Sequence, residues 1–204
     1  MKKVKTEEVY DKVIGLAKNI SKRKEGAIFV IAPEEKFKGT YDFLYAQILE
    51  DHYLNEKGID AVIEKLATLD GAVLVSEKGK IVAYGARIKK SKPLPGFGTK
   101  HAAAAGITEY IKEATAILVN EKIDWIKVFQ KGKIIMEMDS SKNPTNIKNK
   151  MIAFLTDHDT ALVTAAGASA AIVGFAPVLI ITGTYLAAKT ASGLIRKNLK
   201  TEEK

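Results

Sequence analysis

Cysteine is absent from the 204 residues. This excludes a disulfide framework and a thiolate-ligated zinc site. Only three histidines are present, and of these His101 alone stands in a glycine-flanked loop. No Gly-x-x-x-x-Gly-Lys-Ser/Thr run occurs, so a Walker loop is excluded, and no dinucleotide fingerprint is present. The N-terminal lysines have no apolar stretch behind them, so no signal peptide is expected. Basic residues are not interleaved with aromatics as in a nucleic-acid groove, and no nucleic-acid partner is expected. The last gap concerns charge: from Ala161 to Ala188 there is no Asp, Glu, Lys or Arg.

Elsewhere the chain is strongly basic, with a formal net charge of +8 and a pI near 9.4. Such a balance favours anionic partners such as nucleotides or a phospholipid surface, although a lysine-rich solvated surface accounts for charge alone. Composition divides the sequence into three parts. Residues 1–24 form an N-terminal amphipathic helix: from Thr6 to Ile20, Val9, Val13, Ile14, Leu16 and Ala17 recur at helical spacing, and Glu7 and Glu8 lie near the positive end of the dipole. Residues 25–141 alternate strands and helices. Residues 142–204 hold the uncharged stretch and then Lys189, Arg196, Lys197 and Lys200.

In the middle part, Ala27–Ile31 is an apolar run closed by Pro33, which predicts a buried strand. Ile59 to Thr68 predicts a helix, Ala72 to Val75 a strand, and Ile81 to Ile88 its hairpin partner across Glu77-Lys78-Gly79-Lys80. Thr99 to Glu113 is alanine-rich and helical, with Gly98 just before it. Ala116 to Val119 and Trp125 to Phe129 are strands. A second hairpin, at Gln130-Lys131-Gly132-Lys133, leads to Ile134–Met138. The mixture of connections implies an α/β fold with a mixed central β-sheet flanked by helices.

Chemistry concentrates in two loops and one strand end. Asp70-Gly71 joins a helix to a strand; the carboxylate can hold a metal ion or take a proton from a sugar hydroxyl, and the glycine lets a ligand approach the backbone. Alone, Asp-Gly is an ordinary turn. Gly96-Phe97-Gly98-Thr99 opens onto a helix, whose N-terminal amides favour phosphate. Thr99 adds a hydroxyl, Lys100 a point charge and His101 an imidazole. Alone, this is a helix start with incidental polar residues. Asn120-Glu121 ends the next strand. If the sheet sets these strands side by side, Glu121 lies near Asp70, and the two carboxylates with triphosphate oxygens suit Mg2+ or Mn2+, which prefer oxygen ligands; alone, Glu121 is a solvated strand-end glutamate.

Taken in order, these segments carry a family likeness. Glu25-Gly26-Ala27-Ile28-Phe29-Val30, Leu69-Asp70-Gly71-Ala72, the glycine hairpin, Gly98-Thr99-Lys100-His101-Ala102-Ala103, Gly106-Ile107-Thr108 and Asn120-Glu121 resemble the signatures of the diadenylate cyclases, most closely their archaeal branch. That family joins two ATP molecules into cyclic di-AMP. The resemblance implies that Asp70 binds metal and helps activate a ribose 3′-hydroxyl, and that Gly71, Ala72 and Gly98 shape the nucleotide site. It implies that Thr99, Lys100 and His101 contact the triphosphate, and that Glu121 completes the metal site. It also implies a face-to-face homodimer, since each site holds one ATP. Two positions depart from the family's Arg-His-Arg: Lys100 keeps charge but loses planar bidentate contact with phosphate, and Ala102 has no charge.

The apolar stretch 161–188 exceeds the roughly 20 residues that cross a bilayer. Pro177 would break or kink a straight helix there, so a hairpin bent near Gly174-Phe175-Ala176-Pro177 is an alternative to a single span. Its low Leu and Phe content fits a water-soluble hairpin as well. With the basic tail, membrane association on the cytoplasmic face is the expectation. The leading expectation is thus a membrane-associated diadenylate cyclase using ATP and Mn2+ or Mg2+. The alternatives are a catalytically weak nucleotide sensor that regulates the C-terminal segment, and a membrane-active protein whose C-terminal hairpin is the working part.

Overall fold

The computed structural model describes residues 5–121 and 125–139. The C-terminal expectations, from residue 140 onward, lie outside the described residues. Among the described residues, three helices and seven strands follow in the order α1 (Thr6–Lys22), β1 (Ala27–Ala32), β2 (Tyr41–Phe43), α2 (Ile59–Leu66), β3 (Ala72–Ser76), β4 (Ile81–Ile88), α3 (Thr99–Tyr110), β5 (Thr115–Val119), β6 (Trp125–Gln130) and β7 (Lys133–Asp139). A short 3₁₀ turn, Glu34–Phe37, follows β1.

The strands form one sheet in the order β2-β4-β3-β1-β5-β6-β7. Only β1 and β3 pair in parallel; the other neighbours are antiparallel, so the sheet is mixed as expected. Strands β1, β3 and β5 are buried along their whole length. Both sheet faces are covered, which is why these strands read as unbroken apolar runs rather than alternating ones. On one face Phe29, Ile31, Val73, Val75, Ile117 and Val119 pack under Val9, Val13, Ile14 and Ile20 of α1 and Ile59 and Ile63 of α2. On the other, Ile28, Val30, Leu74, Leu118 and Phe129 pack under Ala104, Ala105 and Ile107 of α3. The amphipathic stripe of α1 therefore belongs to the same core as the sheet.

Differences from the sequence expectation are local. Helix α3 stops at Tyr110, three residues before Glu113, because Ile111 turns to an extended conformation. Strand β2 is three residues long and unsignalled by composition: Tyr41, Asp42 and Phe43 alternate too briefly to show a period, and β4 recruits them as an edge. Both hairpin glycines, Gly79 (φ +82°) and Gly132 (φ +73°), adopt the left-handed conformation the turns require. Among the described residues, no helix is long and apolar enough to cross a membrane.

Candidate active site

Strand register brings the expected residues to one end of the sheet. Phe29 pairs with Val73, and Ala27 with Val119. Continued to the strand ends, these registers set Gly26 beside Asp70 on one side and beside Asn120 on the other. Glu121 is the next residue. Helix α3 begins over the same end: a Cβ on Gly26 would lie 2.7 Å from Lys100 Nζ and 3.3 Å from Glu121 Oε2. Gly26 is therefore a floor position where a side chain would displace the lysine. Loop 69–71, the strand-end pair 120–121 and the first turn of α3 surround it.

Asp70 is exposed, and its Oδ1 accepts the Gly71 N–H at 2.9 Å. Gly71 has φ +93°, and a Cβ there would lie 2.5 Å from the carbonyl carbon of Gly85. Opposite Val73, β4 carries two residues, Tyr84 and Gly85, in place of one, a bulge that bends the strand against the Asp70 turn. Two glycine backbones thus lie against each other where the loop would meet a ligand. Tyr45 closes the far side of Gly85, its ring where a Gly85 Cβ would be.

The first turn of α3 suits an anion. Gly98 offers no side-chain cap, and no acidic residue stands in the first turn. The turn's amides carry the partial positive charge of the helix end. Thr99 is exposed and Lys100 half-buried. Lys100 Nζ lies 3.7 Å from Glu121 Oε2, so these two expected site residues pair with each other.

His101 is placed differently. It is turned into the layer between α3 and the sheet, 9% exposed, with its Nε2 buried and without a hydrogen-bond partner. Its ring stacks on Phe97 at 4.6 Å and meets Phe129 edge-on at 6.0 Å. Burial, and secondarily the charge of Lys127, push its pKa down to about 4, so the imidazole is neutral at physiological pH. Lys127 is itself 6% exposed; its Nζ is 2.5 Å from Glu137 Oε1 and 4.7 Å from the centre of the Phe97 ring. Sequence reasoning missed Gly26, Gly85, Lys127 and Glu137. A signal existed for the last two, since each is the lone charge inside an apolar strand run, Trp125–Phe129 and Ile134–Met138.

The carboxylates fit a hard divalent cation only in part. Asp70 and Glu121 are both exposed, but β1 separates the strands that carry them, about 10 Å at two strand spacings. No group of three His, Asp or Glu side chains gathers anywhere among the described residues. A cation here would take one carboxylate from each residue at most and the rest of its oxygens from phosphate and water, the habit of Mg2+.

Comparison with known proteins places the chain in a family. Over 91 residues the chain is 33% identical to a diadenylate cyclase of Methanocaldococcus jannaschii, covering 43% of this chain and 29% of that protein. Over 139 residues it is 29% identical to a diadenylate cyclase of Haloferax volcanii, covering 65% and 51%. The chain thus spans about half the length, or less, of these two relatives, both archaeal. In fold it is similar to the crystal structure of a double mutant of DacA from Staphylococcus aureus, with a TM-score of 0.52 at 22% identity over 72% of this chain and 94% of that one. A hypothetical membrane spanning protein from Bacillus cereus gives a TM-score of 0.50 at 22% identity, over 60% and 59%. The model of the DAC family, the DisA bacterial checkpoint controller nucleotide-binding domain, matches residues 16–134, more than half of the sequence, and the chain belongs to that family.

Proposed function

We propose that this chain is a diadenylate cyclase that condenses two ATP molecules into cyclic di-AMP. The observation that carries the reading is the gathering of Asp70, Gly71, Gly26, Glu121 and the uncapped start of α3 at one sheet end, in a chain of the DAC family. Each 3′-hydroxyl oxygen forms a bond to the α-phosphorus of the other ATP, the α–β anhydride bond breaks, and pyrophosphate leaves with the electron pair. Asp70, exposed beside the ligand-facing turn, receives the hydroxyl proton or orients the hydroxyl. The amides of Gly98 and Thr99, the Thr99 hydroxyl and the Lys100 ammonium hold the phosphates. His101, neutral and inward, supports that loop from below. Asp70 and Glu121 would hold Mg2+ or Mn2+, which when bound neutralises the triphosphate. The rate then depends on positioning and charge.

Two copies face to face are required, because each site holds only one of the two nucleotides. A held apolar surface supports this arrangement. Phe43, Leu44, Tyr45 and Ile48 are exposed, yet their backbone is pinned to the β4 bulge. Leu44 N–H donates to Gly85 O, Gln47 bonds Tyr84 through both its amide groups, and the Tyr84 hydroxyl donates to Ala46 O. The run 161–188 and the basic tail support association with an anionic membrane surface on the cytoplasmic side.

The test is incubation of the full chain with ATP and Mn2+ or Mg2+, with chromatography for cyclic di-AMP and Asp70→Asn as control. Product lost in Asp70→Asn supports the cyclase. ATP binding by a dimer without product overturns it in favour of the sensor reading, which the Lys100–Glu121 pairing favours, since that lysine must leave the carboxylate to reach phosphate.

A further inference from the structure

Beneath the first turn of α3 lies a cluster, Phe97, His101, Lys127 and Glu137, of which the reaction above uses only His101, as a support for the loop. Lys127 and Glu137 are direct cross-strand partners on β6 and β7, and both side chains are largely withdrawn from water. An ion pair placed there loses hydration on both partners, and a well-packed apolar pair would serve stability as well. What it offers beyond an apolar pair is a charge at that place. The Lys127 ammonium supplies it: the cation stands against the Phe97 ring, and that ring covers the His101 imidazole. Phe97 itself lies between Gly96, at φ +80°, and Gly98, in a loop whose own backbone resists movement little. The cation–π contact and the stack hold that loop at the helix start.

We propose that Lys127, anchored by Glu137, is a positioning residue of the candidate active site, clamping Phe97 over His101 and so fixing where Gly98, Thr99 and Lys100 present their donors. This inference rests on reading the start of α3 as the triphosphate-binding end. The charged group facing the imidazole is Lys127 from β6, with Glu137 from β7 behind it; Lys100, next in sequence on α3, turns its ammonium to Glu121 instead. Removing the Lys127 charge lets Phe97 swing out about its two glycines. His101 is then uncovered and the donors of the first turn lose their common geometry, while the fold's other contacts persist.

The experiment compares the full chain with Lys127→Arg, Lys127→Met, the paired Lys127→Met/Glu137→Leu, and Phe97→Ala. Phe97→Ala touches an exposed loop side chain and keeps the test open if burial of an unpaired carboxylate unfolds Lys127→Met. The first readout is diethyl pyrocarbonate modification of His101 near pH 6, resolved by peptide mass from the other two histidines. The second is kcat and KM for ATP. Modification of His101 should be slow in the parent and in Lys127→Arg. It should be at least about tenfold faster in Lys127→Met, in the paired variant and in Phe97→Ala. In these variants kcat should fall at least about tenfold with a smaller change in KM, since misplacement costs rate more than affinity. His101 equally protected in the paired variant and in the parent overturns the clamp. So does an arginine variant that behaves like the methionine one. If the parent forms no cyclic di-AMP, the cyclase reading fails, and the modification rates still decide the clamp.

Discussion

Lys100 Nζ and Glu121 Oε2 stand 3.7 Å apart across the bare Cα of Gly26. They come from the start of a helix and the end of a strand 21 positions away in sequence, and the gap between them exists because residue 26 has no side chain. A Cβ at Gly26 would meet the movable tip of Lys100 first. Gly26→Ala should therefore fold, with thermal stability within about 1 kcal/mol of the parent, since Gly26 is buried but the atom its Cβ meets is a flexible side-chain tip that can move aside. ATP affinity and cyclic di-AMP output should both fall. Calorimetric titration with ATP beside a thermal melt checks this; unchanged affinity would show that the pair does not touch the nucleotide.

Gly71 and Gly85 should behave in the opposite way. Both have positive φ, and a Cβ on Gly71 would strike the Gly85 backbone, while one on Gly85 would enter the Tyr45 ring. Backbone strain of about 1–3 kcal/mol adds to the clash in each case. Gly71→Ala and Gly85→Ala should each lower unfolding free energy by at least about 2 kcal/mol in urea titrations, a size usual for strain at special backbone conformations.

Gly106 has another reason to be glycine. It lies inside α3 with helical geometry, yet a Cβ there would run into the backbone carbonyl of Lys90. The connection from β4 crosses α3 at this point, and Lys92 N–H donates to Ala102 O nearby. Alanine normally favours a helix by about 1 kcal/mol over glycine. Here Gly106→Ala should destabilise instead and loosen the 89–98 connection. Faster proteolysis within that connection and a lower melting temperature are the expected signs.

His101 contributes to the acid side of the stability profile, beside the paired carboxylates of Asp42, Glu56 and Glu109. Its folded pKa, about 4, lies below the ordinary 6.5. The unfolded chain thus takes up a proton that the folded chain refuses. Stability carried by this residue is full above pH 6.5 and declines as the pH falls towards 4. His101→Gln should flatten that decline in melts taken between about pH 7 and pH 4. Because the folded imidazole stays neutral, the pH–rate profile between about 6 and 8 should show no inflection from His101.

An Ile48→Asp substitution tests the apolar surface beside the Gly85 bulge. Ile48 is 67% exposed, so the isolated fold should tolerate the charge. If two copies meet there, sedimentation should show dissociation and product formation should fall with it, while ATP binding per copy persists.

Much of this molecule was legible in the linear sequence. Periodicity placed α1 and α2, apolar runs gave β1, β3 and β5, and glycine turns gave both hairpins, because each signal is local and repeats over several residues. The site loops were legible as residue types: Asp70-Gly71 at a helix-to-strand turn and Thr99-Lys100 at a helix start both announce their chemistry by position in an element.

Only the tertiary structure decided how those pieces face one another. Strand order placed β1 between Asp70 and Glu121, so the two carboxylates flank Gly26 rather than sit side by side. Burial under Phe97 turned His101 from an expected phosphate contact into a neutral, inward group. The hairpin at Gln130 and Lys133, continued without interruption, would set Lys127 opposite Met136. A bulge between Val128 and Phe129 shifts the register by one residue and sets it opposite Glu137. A one-residue slip changes the partner of every later position in a strand pair. Such a slip is fixed by packing across the whole sheet, which no local pattern encodes.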